Sequence, residues 1–264
     1  MVIEILTEDK SGSVTVERLV RRICKKFYEN KASNNASQNQ EDEPSNMPTI
    51  NVRPHRGCGN LPHDWDNKPP RFASGLLDLL PAKCRAYEEC YGNEEVIFVV
   101  VMDSDDNDPV ELRKTLYTVC KKYAPNVRSV IGLCVEEVES WLLGDHEAIS
   151  KAYPEADISA ISLYEQDSVC GTWEALCRVV CPDNYEDVLE IGYPAIGQYK
   201  AKWSEVISKY LDPEKNVSPS FILFKHALEA ALTNPKPISS NQQAFLSHEA
   251  HDSKPNPKVR RITF

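Results

Sequence analysis

The segment from Val96 to Asp108, V-I-F-V-V-V-M-D-S-D-D-N-D, constrains the fold more than any other part of the chain. Val96 to Met102 is an unbroken apolar run, mostly β-branched. A strand with one wet face would alternate polar and apolar residues, so this run reads as a strand buried on both faces of a parallel sheet. It ends abruptly in Asp103, Asp105, Asp106 and Asp108. Ligands of open α/β sheets bind just outside the carboxyl ends of the strands. An Asp-x-Asp delivered to that edge is a seat for a hard divalent cation, which takes oxygen ligands. Asp108 has a simpler explanation: before Pro109 it is the N-cap of the next helix, with the proline at the first helical position. Capping needs neither Asp103 nor Asp105.

The same grammar recurs along the first 145 residues. Val2 to Thr7 reads as a strand ending in Glu8 and Asp9. A helix follows, with Val16, Leu19, Val20, Ile23 and Phe27 at helical spacing and Arg18, Arg21, Arg22, Lys25 and Lys26 on a solvated face. Residues 30–47, rich in Asn, Ser, Gln and acids, read as a flexible surface insertion. Thr49 to Val52 is a short second strand, and Ser74 to Tyr91 a helix that Pro81 is expected to break or kink. The Val96 strand, a helix from Pro109 to Tyr123 with Leu112, Leu116, Val119 and Cys120 inward, and a strand from Val127 to Val135 complete the series. Strands alternating with helices imply an α/β fold, a mainly parallel sheet with helices on both faces. Residues 146–233 show no convincing strand. His146 to Tyr153, Thr172 to Val180, Ala201 to Tyr210 and Phe221 to Leu232 form a helical portion packed on the sheet. Residues 234–264 are polar and proline-bearing, a tail expected to be mobile.

Composition narrows the class. At 264 residues with 41% hydrophobic and 27% charged content, the chain is an ordinary globular one. It lacks an apolar run long enough to span a membrane, and its N-terminus opens directly into a strand, so neither membrane insertion nor a signal peptide is expected. Nine cysteines, none in a C-x-x-C pair, several of them (Cys24, Cys120, Cys134, Cys177) in apolar periodic segments, fit a reducing cytoplasm. Cys58, His55 and His63 lack the paired spacing of a zinc site. A net charge of −10 argues against wholesale nucleic-acid binding, although acidic metal-dependent nucleases work through local basic patches.

Three of the four strands end in acid: Glu8 after the first, Asp103 and Asp105 after the third, and Glu136, Glu137 and Glu139 after the fourth. A parallel sheet collects these ends at one edge. Clustered carboxylates disfavour one another's ionisation, and a divalent cation relieves that cost while serving phosphoryl chemistry. Glu8 after strand one, a helix, then V-V-V-M-D-S-D after a later strand resembles the Toprim domain of topoisomerases, bacterial-type primases and overcoming-lysogenization-defect (OLD) nucleases. The segment C-V-E-E-V-E-S-W-L-L-G-D and the stretch from Lys202 to Phe221 are similar to parts of a compact, stand-alone Toprim-like family of prokaryotes, often associated with anti-phage defence or mobile elements. The resemblance covers most of residues 1–232 through short motifs. It implies a Rossmann-like Toprim sheet, Mg²⁺ (with Mn²⁺ as a substitute) held by Glu8, Asp103 and Asp105, and Glu139 completing a second site. Glu8 either ligates metal or protonates the leaving oxygen. Asp9 stands where the family has glycine, and is either an altered turn or an added ligand. Glu137 is a further candidate, although acids at a helix start also favour the dipole.

For phosphate or nucleic-acid contact, Arg53 and Arg56 lie beside His55, Gly57 and Gly59 near the end of strand two. Lys200, Lys202 and Lys225 are candidates for lining a groove in the helical portion. Ser218 and Ser220 begin a helix, where one is expected to cap and the other to meet phosphate. Two functions follow: a Mg²⁺-dependent nuclease cutting DNA, RNA or tRNA, and a non-catalytic metal-binding subunit of a defence complex, partnered by an ATPase. A third, more remote reading is a phospho-aspartate enzyme or receiver-like protein, against which this sequence shows no strand-end Ser/Thr followed by a strand-end Lys in the expected order.

Overall fold

The computed structural model describes residues 1–35, 47–92, 95–192 and 194–235. Four strands, β1 (Val2–Thr7), β2 (Thr49–Pro54), β3 (Val96–Asp103) and β4 (Arg128–Cys134), form one all-parallel sheet in the order β2-β1-β3-β4. Helices α1 (Lys10–Asn35), α2 (Leu76–Tyr91) and α3 (Pro109–Tyr123) make the crossovers. Side chains alternate across each strand, so the sheet has two dry faces. Ile3, Ile5, Ile97, Val99, Val101 and Val130 pack toward α1 and the C-terminal helices. Leu6, Phe98, Val100, Met102, Ile131 and Leu133 pack toward α2 and α3. This is the α/β architecture that the apolar run from Val96 implies, Rossmann-like in its helix-covered parallel sheet.

Beyond β4 the chain is helical: α4 (Glu139–Leu143), α5 (His146–Ala152), a 3₁₀ turn (Ile158–Leu163), α6 (Thr172–Val180), α7 (Tyr185–Glu190), α8 (Ala195–Ile207) and α9 (Pro219–Thr233). These helices have no core of their own. Trp141, Trp203, Phe221 and Phe224 join the same apolar cluster as β1 and β3. Trp141 stacks on Phe224, with ring centroids 5.2 Å apart, directly over β4. A Cβ on Gly132 would lie 2.8 Å from Phe224 Cδ2 and 3.2 Å from Trp141 Cη2. Glycine there lets the aromatic pair reach the sheet.

Several sequence expectations need correction. Helix α1 runs on to Asn35, into the expected insertion, whose residues 36–46 lie outside the described ones. Arg18 and Arg22 do not belong to a solvated face. Arg18 donates to the Glu205 carbonyl at 2.6 Å, and Arg22 to the carbonyls of Ser208 and Lys209 at 2.6 and 2.5 Å. Cations at these carbonyls satisfy the C-terminal end of α8, a favourable place for positive charge. Pro81 neither breaks nor ends α2, because buried Leu76, Leu80, Cys84 and Tyr87 on either side of it hold the helix against the sheet. Cys24, Cys120, Cys134 and Cys177 are buried free thiols, as their apolar contexts imply.

Replacing Gly132 by alanine should destabilise the fold by about 1–3 kcal/mol through overpacking. At this chain length each kcal/mol lowers Tm by roughly 2–4 °C. Urea unfolding with an unchanged slope is the check; wild-type stability in Gly132→Ala would show that the aromatic pair does not rest on β4.

Candidate active site at the carboxyl edge of the sheet

The parallel register brings the acidic strand ends together. Thr7 pairs with Val101 and Asp103 with Cys134, so Glu8 emerges beside the end of β3. The Asp103 amide points at the Glu8 carboxylate, 3.4 Å from Oε2. Glu8, Asp9, Asp103 and Glu139 line one cavity of about 40 Å³, closed from below by Val16, Val101 and Val138. That volume suits an ion and its water better than a nucleotide. The one basic residue on its wall is Lys200 of α8, whose Nζ is 2.6 Å from Glu137 Oε1 and 3.6 Å from Glu139 Oε2.

Burial and crowding leave their mark on the carboxyls. Burial, then the charge of Asp105, raises Glu8 to about 7, against a hydrogen bond from the Asp103 amide. Glu139, 1% exposed, is also raised to about 7 by burial; Lys200 opposes the rise and Glu137 adds to it. Asp103 is raised well above the usual carboxylate range by burial, then by Glu139 and Glu8. Asp105 is raised by burial and by Asp106. Burial, then Glu8, Asp105 and Asp103, pushes the neighbouring Cys58 thiol up to about 12. Such shifts arise where apolar walls meet converging like charges. Oε2 of both Glu137 and Glu139 is buried without a hydrogen-bond partner.

The carboxylates that line the cavity offer oxygen donors, which suit a hard cation, although the Cys134 thiol also borders it, and the unpartnered carboxylate oxygens are acceptors still to be satisfied. Among the described residues, however, no three His, Cys, Asp or Glu side chains stand in a metal-ligating group. The acids share a cavity without forming a ready-made triad. That statement covers the Cys58, His55 and His63 set as well.

Other acids are committed to structure. Asp9 accepts from the Gly12 amide at 2.7 Å and from the Ser11 hydroxyl, capping α1 while still lining the cavity. Asp108 caps α3, accepting from Val110 and Glu111, as its place before Pro109 implies. Glu136, at φ 60°, accepts from the amides of Cys170, Gly171 and Thr172 and from the Thr172 hydroxyl, so it anchors the start of α6. Asp105, at φ 46°, is exposed; its amide donates to the Glu136 carbonyl at 3.0 Å. Neither Asp105 nor Glu137 lines the cavity.

The expected phosphate contacts scatter. Arg53 Nε is 2.8 Å from Oε2 of Glu4, a fully buried acid in the middle of β1 that also takes bonds from Asn51 at 2.7 Å and Tyr87 at 3.1 Å. Burial opposes ionisation of Glu4, but the hydrogen bonds from Arg53 and Asn51 outweigh it and the pKa is lowered. Arg53, itself half-exposed, is therefore committed to an ion pair with a buried acid. Arg56 is exposed on the loop after β2. Lys202 is exposed and faces the Cys181 side of the helical portion rather than the acids. Ser220 is buried, its hydroxyl accepting from the Trp141 indole at 2.9 Å and its amide donating to Asp167 at 2.5 Å. Ser218 caps α9 through the Phe221 amide. Lys200, grouped by sequence with Lys202 and Lys225, is the lysine that reaches the site. Lys225 pairs with Glu214 at 2.6 Å. His55 Nδ1 lies 2.9 Å from the Thr7 carbonyl, which fixes the proton there, and burial lowers its pKa.

Comparison of the chain with models of known protein families, with curated proteins and with solved structures finds no match. The arrangement is that of an α/β protein with an acidic, partly dry pocket at its carboxyl edge.

Glu139, raised to about 7, holds its proton in the folded protein where the unfolded chain has already released it. Between the ordinary glutamate value and about 7, metal-free protein should thus lose stability as pH rises. Glu139→Gln should remove on the order of 2 kcal/mol of that fall, read from urea melts between about pH 5 and pH 8. An unchanged pH profile in the variant would show that Glu139 is ionised throughout.

Proposed function

We propose that the chain is a Toprim-like, Mg²⁺-dependent nuclease that hydrolyses phosphodiester bonds. The observation that carries this reading is the convergence of Glu8, Asp103 and Glu139 on one small cavity at the carboxyl edge of a parallel sheet, with Lys200 as their counter-charge. Asp103 and Glu139 are the groups that would hold the ion, with Glu8 beside them kept as the proton donor, and Mn²⁺ shares the preference for oxygen donors. Bound there, the ion supplies positive charge that polarises a phosphate ester.

The chain's own groups account for the rest. A carboxyl with pKa about 7, as Glu8 has, is half protonated at neutral pH and is matched to giving a proton to a leaving oxygen. Asp103 and Glu139, whose ionisation burial disfavours, would give up their protons to a cation bound between them, beside the apolar side chains of Val16, Val101 and Val138. The Lys200 ammonium limits mutual repulsion of the acids and gives the phosphate one positive contact on the wall of the cavity. Asp105, on the exposed turn beyond β3, sits near enough to Glu8 to raise its pKa and is the remaining acid for a second ion. A role in anti-phage defence accords with the sequence resemblance. The net charge of −10 favours the alternative of a metal-binding subunit whose DNA-guiding surface lies on an ATPase or other partner. Among the described residues no helix is long and apolar enough to cross a membrane.

The purified 264-residue chain, incubated with supercoiled plasmid, linear duplex, single-stranded DNA and total RNA, should cleave at least one of them with Mg²⁺ or Mn²⁺ and none in EDTA. Asp103→Asn should abolish cutting, and Glu8→Gln should slow it about 10²–10⁴-fold, the usual weight of a general acid. Lys200→Met should lower activity with the fold intact by thermal melting. Wild-type protein inert on every substrate with both ions would sink the nuclease reading. Mg²⁺ binding without cutting would favour the partner-subunit alternative.

A further inference from the structure

The loop between β2 and α2 carries features that neither the fold nor the acid pocket uses. It leaves the sheet at the same edge as the acids. His55 donates its amide to the Thr7 carbonyl and Gly57 to the Glu8 carbonyl, both at 3.0 Å, which extends the β1–β2 ladder alongside the site. The loop is then closed at its neck. Arg56 donates to the Ser74 carbonyl at 3.0 Å, Leu76 to that of Gly57 at 3.0 Å and Leu77 to that of Cys58 at 2.8 Å. Gly59 and Gly75 lie back to back; a Cβ on Gly75 would sit 2.5 Å from the Gly59 Cα. Asp78 ties the two sides by accepting from the Asn60 and Gly75 amides. The neck is built, and residues 60–74 form a lobe beyond it that lies along α2 and α3: Leu61 and Trp65 pack on the core of that face, Arg85 donates to the carbonyls of Trp65 and Asn67, and Asp66 accepts from Lys122 and Tyr123.

On that lobe Phe72 is 89% exposed, and no other large apolar side chain among the described residues is as open. It stands two residues from Ser74, whose carbonyl holds Arg56, itself adjacent to the Gly57 that bonds to Glu8. The Arg71 guanidinium lies 5.8 Å over the Phe72 ring. Residues 53–75 hold four Lys and Arg against two Asp, an excess of positive charge in a chain whose net charge is −10. Arg53 is spent on Glu4, and Asp66 on Lys122 and Tyr123. Arg56, Lys68 and Arg71 are exposed and make no ion pair with the described residues.

We propose that this loop is a docking platform for a single nucleic-acid strand, with Phe72 stacking on an unpaired base and Arg56, Lys68 and Arg71 meeting the phosphates that lead to the acid pocket. The inference rests on the nuclease reading for the direction of the strand. An exposed aromatic ring interleaved with cations is the chemistry that binds strands without reading sequence, because every base has a π-face and every nucleotide a phosphate. In a duplex those faces are covered, so the platform selects unpaired segments.

The test is fluorescence anisotropy with the full chain in EDTA, where cleavage is off, using a labelled oligonucleotide of about 16 nucleotides and the duplex of the same sequence. The single strand should bind more tightly than the duplex. Phe72→Ala should weaken single-strand binding about 5- to 100-fold, and Phe72→Trp should restore it. Arg71→Ala and Lys68→Ala should each reduce the slope of log affinity against log salt by about 0.7. No binding by wild type, or equal binding by wild type and Phe72→Ala, overturns the platform; the latter result would leave Phe72 as an anchor for a protein partner. Strand binding that depends on Phe72 in a protein that never cuts would keep the platform and reject the nuclease. Cutting with unimpaired binding by Phe72→Ala would do the reverse.

Discussion

The pairing of β1 with β3 is the constraint from which the rest of this structure follows. Two neighbouring parallel strands, each ending in acid, set Glu8 and Asp103 side by side where the sheet opens. Their apolar surroundings make ionisation costly, and the raised pKa values of Glu8, Asp103 and Glu139 express that cost. An arrangement of this kind needs positive charge from somewhere. Lys200 supplies it from α8, nearly a hundred residues beyond β3, so the helical portion is part of the site. Helix α8 is in turn gripped at its far end by Arg18 and Arg22 of α1, the helix that follows Glu8. The cluster of acids and the packing of the C-terminal helices are one structural problem with one solution.

Acids in this protein divide by what their oxygens meet. Glu136 and Asp167, both at positive φ, turn their carboxylates onto the first amides of α6 and α9, where helix amides and the helix dipole favour negative charge. Asp108 and Asp9 do the same for α3 and α1. Glu8, Asp103 and Glu139 line a shared cavity instead, where the Asp103 amide reaches the Glu8 carboxylate only at 3.4 Å and burial raises the pKa of all three. Asp105 also adopts positive φ, yet no helix start receives its carboxylate among the described residues.

What was legible in the sequence was whatever depends on neighbours in the chain. The run from Val96 to Met102 reads as a buried strand, and the parallel sheet follows from it; of the acids expected at its edge, Glu8, Asp103 and Glu139 line the cavity, whereas Asp105, which the Asp-x-Asp pattern pairs with Asp103, does not. The cap at Asp108 was legible because Pro109 adjoins it. Side chains whose partners lie far along the chain were not. Arg53 looked available because Glu4, 49 residues earlier, read as one polar residue in a strand. Ser220 looked like a phosphate ligand because nothing local announced the Trp141 indole, 79 residues away. Lys200 stood among three lysines with no local feature to single it out, and only the placement of α8 across the strand ends does so. Pro81 misled because propensity counts one lost hydrogen bond, whereas burial of the helix on both sides of it decides the outcome.

Glu4 has a role that reaches beyond its own burial. A fully buried carboxylate in a central strand is tolerated only when its oxygens are saturated, and here they are: Asn51 and Arg53 come from β2, and Tyr87 from α2. Those two elements are the ones that flank the loop carrying Arg56, Arg71 and Phe72. A single acid thus ties the strand entering the loop to the helix leaving it. Replacing such an acid by an apolar residue could pack equally well, but it would release both ends of the loop from a common point. The physical value of the buried charge lies in that geometry. It holds the end of β2 and the body of α2, and with them both ends of the loop, at fixed positions on the sheet.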